Sequence, residues 1–169
     1  MKKIYLIGGT MGVGKTTLCQ KLKKELSNAV FLDGDWCWDS DPFQVTEETK
    51  SIVMDNITYV LNNFIHCSSY EHILFSWVMH EQSIIDEIIL NLDLDEVECY
   101  PISLMVDKDT LVSRLQKDVE AGIRKADVIN RSVQRIEMYE TLNTIKLDTT
   151  NKSLDELVEE VKQLKIEEE

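Results

Sequence analysis

The chain is short of positive charge. Its 169 residues carry 18 lysines and arginines against 31 aspartates and glutamates, a net charge of −13. A nucleic-acid binder needs a basic footprint for the phosphate backbone, so this balance argues against a nucleic-acid partner. It argues equally against docking on an anionic membrane. Long apolar runs are also missing. None approaches the ~20 residues that span a bilayer. Met1-Lys2-Lys3 and the apolar residues after it resemble the opening of a secretory signal. That run meets glycines and then Lys15, so it lacks a signal's apolar middle and is not read as one.

Cysteine is scarce and scattered. Cys19, Cys37, Cys67 and Cys99 form no C-x-x-C, and His66, His72 and His80 form no H-E-x-x-H. Neither a zinc cage nor a redox pair is expected. Buried thiols in a reducing, cytoplasmic setting are the expectation. There is no linker, no internal repeat and no low-complexity stretch beyond the acidic tail Glu167-Glu168-Glu169, which reads as a solvated end. A chain of this length is expected to form one domain over residues 1–169, as a monomer or homodimer.

What is present starts at residue 9. Gly9-Thr10-Met11-Gly12-Val13-Gly14-Lys15-Thr16 fits G-x-x-x-x-G-K-[ST], the phosphate-binding loop pattern, with Thr17 next in line. Ile4–Ile7 before it reads as a short buried strand, and Leu18, Leu22 and Leu26 after it recur at helical spacing. Glycines permit positive φ and clear space for a phosphate. Successive N–H groups then make an anion nest at the positive end of a helix. Lys15 is placed to reach the β- and γ-phosphates of ATP, and the Thr16 hydroxyl to ligate Mg²⁺.

The rest alternates. Strands are expected at Ala29–Leu32, His72–Val78, Cys99–Val106 and Thr144–Leu147. Helices are expected from Thr46 to Ile65, Glu81 to Leu90, Asp107 to Val119, Val128 to Glu140 and Ser153 to Leu164. Ile52, Val53, Ile57, Val60, Leu61, Phe64 and Ile65 give one inward face, and Pro101 is expected near the start of its strand. Alternating strands and helices imply right-handed crossovers and a parallel sheet.

In such sheets ligands bind beyond the carboxyl ends of the strands. That selects Asp33 and Asp35, which the i,i+2 spacing turns to one side. One carboxylate suits Mg²⁺, the other an attacking hydroxyl. The third strand brings no acid, only Ser76 and Trp77, so metal assistance falls on Thr16 and Asp33. Trp36, Trp38, Phe43 and Trp77 are candidates for an acceptor pocket, with Ser76 as a candidate hydroxyl contact in it. Arg124 lies where a lid, at about residues 116–131, would bring a cation to transferring phosphate, and Arg131 and Arg135, i,i+4 on one helix face, can point at the same phosphates.

Together, the loop, Asp33-Gly34-Asp35, the arginine-bearing segment and Leu147-Asp148-Thr149-Thr150 resemble the small P-loop kinases. These include the nucleoside monophosphate, shikimate and gluconate kinases and the chloramphenicol phosphotransferase type. The resemblance implies a three-layer α/β fold, a five-stranded parallel sheet of order 2-3-1-4-5 and a helical lid. It implies Arg114 stacked on adenine and Asp148, Thr149 and Thr150 bordering the base. It also implies metal and substrate roles for Asp33 and Asp35. Trp36 departs from the shikimate and gluconate branch, and the nucleoside monophosphate kinase pattern after the second strand is absent. The expected activity is transfer of the ATP γ-phosphoryl group to a small molecule. A nucleoside or nucleotide is favoured, with a sugar acid or antibiotic hydroxyl as the alternative. A non-catalytic nucleotide-binding module is the rival class. A guanine-reading N-K-x-D and a D-x-x-G are both absent.

Overall fold

The computed structural model describes residues 1–165, so the acidic tail lies outside the described residues. Five strands, β1 (Lys2–Gly8), β2 (Ala29–Asp33), β3 (His72–Ser76), β4 (Val97–Met105) and β5 (Ile145–Asp148), form one sheet. Its order is β2-β3-β1-β4-β5 and every pair is parallel. Six helices connect or follow them: α1 (Lys15–Glu25), α2 (Glu47–His66), α3 (Gln82–Leu90), α4 (Lys108–Glu120), α5 (Asp127–Glu140) and α6 (Leu154–Lys162).

Strand alternation builds two cores from one sheet. Tyr5 and Ile7 face a layer made by Leu18 and Leu22 of α1, Leu111 and Leu115 of α4, and Val158 and Val161 of α6. Ile4 and Leu6 face the other way, onto Val53, Ile57 and Leu61 of α2 and Ile85 and Ile88 of α3. Period-two residues of a central strand are therefore buried on both sides, as a parallel sheet requires. Capping fixes several helix starts. Thr46 and Thr49 form a reciprocal capping box before α2, and the Asp107 and Ser153 side chains accept backbone N–H groups at the starts of α4 and α6.

Three expectations need correction. β3 stops at Ser76, not Val78, because the chain turns away and Met79 takes a left-handed φ of 42°. Ile52 is 53% exposed rather than part of the inward face of α2. Pro101 sits at the middle of β4, not its start. β4 pairs with β5 only from Ile102 onward, so one edge at Pro101 is open and a missing N–H costs no ladder bond there. After β2, Gly34–Cys37 forms one 3₁₀ turn.

Candidate functional site

The phosphate loop lies between β1 and α1, at the carboxyl end of the sheet. Gly14 caps α1 with φ 104°, and no side chain caps the helix or places an acid in its first turn. A Cβ at Gly14 would meet nothing within 4 Å. The first N–H groups of α1 thus face open space, the arrangement that receives an anion. The loop is braced from behind. Thr10 is buried, and its hydroxyl donates to the carbonyl of Ser132 on α5 at 2.8 Å. Val13 is buried in the α1–α4 core, while Met11 packs at its edge.

The Lys15 amine donates to the carbonyls of Gly9 (2.7 Å) and Thr10 (3.1 Å) within its own loop. Burial pulls its pKa down to about 8, against the opposing pull of Asp35 and Asp33. The Thr16 hydroxyl donates to Asp33 Oδ2 at 3.3 Å, while Asp33 Oδ1 accepts the Asp35 N–H at 2.9 Å. Asp33 therefore touches the loop and starts the 3₁₀ turn that carries Asp35. Asp35 opens to solvent at the rim. Where the protein covers it, desolvation raises its carboxyl above the usual range, and Asp33 adds to the effect. The Trp77 side chain lies beside Asp35 in the same cleft and opposes that rise.

These groups surround a cleft of about 240 Å³ that also includes Ser76, Asp118 and Arg124. Ser76 is almost wholly buried and lines the cleft from the end of β3, close to Cys19. A second cleft of about 400 Å³ adjoins over Gly12, Gly14 and Thr17. Arg114 spans its wall, donating to the Val13 carbonyl at 3.3 Å and to the Thr149 hydroxyl and carbonyl at 3.4 and 3.3 Å. Asp148 and Thr150 complete that turn: Asp148 accepts the Thr150 N–H, and the Thr150 hydroxyl accepts that of Asp107.

The structure does not bring every candidate to the cleft. Trp36 is exposed and packs edge-on against Phe31, and Trp38 packs on Phe43 around a separate pocket against α2. Arg131 is exposed, 4.0 Å from Asp127, and shares with Arg124 a shallow pocket beside the loop. Arg135 lies near His80 and Tyr139, and its charge helps lower the pKa of the partly buried His80. Asp118 and Val78 line the cleft without having been expected there. An acid in the last turn of a helix opposes the macrodipole, and that was the available signal.

Among the described residues no group of three or more His, Cys, Asp or Glu could hold a metal. Thr16 and Asp33 nonetheless offer adjacent hard oxygens. That fits Mg²⁺, which takes one or two protein ligands and fills its shell with water and phosphate.

The fold is that of the small P-loop kinases. The AAA_18 family, described as an AAA domain, matches residues 6–137, and the chain belongs to it. Among solved structures it is similar to a gluconokinase from Sinorhizobium meliloti 1021, with a TM-score of 0.68 and 16% identity over 94% of this chain and 88% of that one. It is similar to the Deinococcus radiodurans tunicamycin resistance protein, with a TM-score of 0.65 and 14% identity over 95% and 94%. It is also similar to the Mycobacterium tuberculosis APS kinase solved with AMPPNP and APS, with a TM-score of 0.63 and 13% identity over 95% of each chain. At these identities the likeness is one of fold. No curated protein matches the chain.

Proposed function

We propose that the chain is an ATP- and Mg²⁺-dependent phosphotransferase acting on the hydroxyl of a small molecule. One observation carries this reading. Lys15 is held on the glycine loop, Thr16 bonds Asp33, Asp33 accepts the Asp35 N–H, and all four side chains line one cleft.

Triphosphate oxygens would take the N–H groups of α1 and the Lys15 amine, which exchanges its loop carbonyls for phosphate. Thr16 and Asp33 would hold Mg²⁺, which when bound neutralises charge on the β- and γ-phosphates. Asp35 accepts the proton of the acceptor hydroxyl as its oxygen bonds to the γ-phosphorus and the bond to the β-phosphate oxygen breaks. ADP leaves, and the proton passes from Asp35 to solvent. Arg124 supplies positive charge beside the transferring group. Arg114 and the Asp148–Thr150 turn border the nucleoside end.

A carboxylate at the acceptor position suits an alcohol and repels a phosphate. The reading therefore keeps nucleosides, nucleotides with a free hydroxyl, sugar acids and antibiotic alcohols as acceptors, each taking the phosphoryl group on a hydroxyl. The test is ADP release from MgATP across a panel of those acceptors. Stimulation by at least one alcohol is expected. No stimulation by any, with ATP and ADP bound equally well, would leave a nucleotide-binding module instead.

A further inference from the structure

Asp118 sits in the last turn of α4 and lines both clefts above the glycine loop. A carboxylate beside a polyanion site is a liability unless a cation offsets it. Its partner is Arg124, whose Nε donates to Asp118 Oδ2 at 3.0 Å, with each side chain about one third exposed (31% and 33%). The main chain of Asp118 holds the same turn. Its carbonyl accepts the N–H of Ile123 at 2.9 Å and that of Arg124 at 3.3 Å, around Gly122 with φ 72°. One residue thus fixes both the backbone and the guanidinium of Arg124.

Which nitrogen is engaged matters. A guanidinium has five N–H donors in a rigid fork, and two-point binding of phosphate uses two of them in parallel. Asp118 takes Nε. Among the described residues neither terminal nitrogen of Arg124 has a partner. We propose that Asp118 is the positioning residue of Arg124, holding it by Nε so that both terminal nitrogens meet the γ-phosphate of a bound triphosphate. The role rests on the phosphotransferase reading. An arginine ordered before its ligand arrives has less side-chain freedom to lose at binding and needs less reorganisation in the transition state.

The test compares Asp118→Ala, Asp118→Asn, Arg124→Ala and the Asp118→Ala/Arg124→Ala double variant. Calorimetric titration gives dissociation constants for MgATP and MgADP, and ADP release gives kcat and KM. Asp118→Ala is expected to lower kcat roughly tenfold to a hundredfold, the cost of a misplaced charged group, and to weaken MgATP binding while leaving the MgADP dissociation constant nearly unchanged. It should also erase most of the preference for ATP over ADP. Asp118→Asn, which keeps an acceptor for Nε, should fall between it and wild type. Against Arg124→Ala, removing Asp118 as well should add nothing. Multiplying effects in the double variant, or a lowered melting temperature with the ATP:ADP ratio intact, would reduce Asp118 to a staple of the turn and overturn the proposal. If the ratio responds as expected while wild type turns over no acceptor, the phosphotransferase reading fails and the positioning role stands.

Discussion

The indole of Trp77 rests directly on Gly34. A Cβ at Gly34 would lie 2.5 Å from Trp77 Cγ and 2.9 Å from its Cβ, so no other residue type fits without moving the ring. Trp77 in turn lies beside Asp35 in the cleft. The glycine between the two aspartates is thus what lets the ring reach the second one. Gly34→Ala should displace the ring and loosen Asp35. Overpacking of this kind costs about 1–3 kcal/mol. Chemical denaturation should show that loss, and turnover should fall at least about tenfold with ATP affinity retained. Unchanged turnover would mean that ring and carboxylate act independently.

Asp35→Asn separates binding from chemistry. The amide keeps the shape of the carboxylate but cannot take the acceptor's proton. Loss of a general base typically costs 10²–10⁴-fold in rate, so kcat should fall by roughly that factor while the ATP dissociation constant stays close to wild type. Desolvation and Asp33 raise the Asp35 carboxyl. Its protonation should therefore switch off kcat/KM on the acid side at a pH above the ordinary carboxylate range. The variant's residual activity should lack that limb. A pH–rate profile of both proteins checks it.

Much of this arrangement was legible in the sequence. The apolar run before Gly9 and the leucine spacing after Lys15 predict β1 and α1, because hydrophobic period alone distinguishes them. Thr46 announces α2 through cap chemistry. The two aspartates after β2 stand out because strand ends in a parallel sheet face the ligand side. The aromatic residues were harder. Composition groups Trp36, Trp38 and Trp77 together, yet the 3₁₀ turn after Asp33 sends the first two toward Phe31 and Phe43, and only Trp77 enters the cleft. A single turn redirects side chains in a way that no periodicity records. Asp118 offered only its place against the macrodipole as a signal, because an acid on a mixed-charge helix looks solvated until its partner six residues on is placed in space.

Lys15 carries a pH signature that needs no acceptor. Its pKa falls to about 8 in the folded chain, from ~10.4 for an unperturbed lysine. Between those values the unfolded chain binds more protons than the folded one. Stability of the nucleotide-free protein should therefore gain from this group as pH rises through that window, and lose the gain as pH falls through about 8. Lys15→Met should flatten this part of the profile in denaturant titrations at several pH values. Phosphate beside the amine favours its charged form, so ATP binding near pH 8.5 should take up protons. Titration calorimetry in buffers of different ionisation heat would reveal that uptake in the wild type.

Arg114 offers the complementary test at the other end of the nucleotide. Its guanidinium joins the glycine loop to the turn after β5 through Val13 and Thr149, and it lines the cleft proposed for the nucleoside. Arg114→Ala removes those bonds and leaves the Val13 carbonyl without that donor, a loss of about 1–3 kcal/mol if the groups stay dry. The same change strips one wall from the nucleoside cleft but touches none of Lys15, Asp33 or Asp35. ATP and ADP affinities should therefore weaken together, each by roughly tenfold, the equivalent of ~1.4 kcal/mol. Turnover at saturating ATP should change little, since the reacting end is intact. Calorimetry for both nucleotides and kcat at saturation make the comparison. A fall in kcat with affinity preserved would place Arg114 at the phosphoryl end instead.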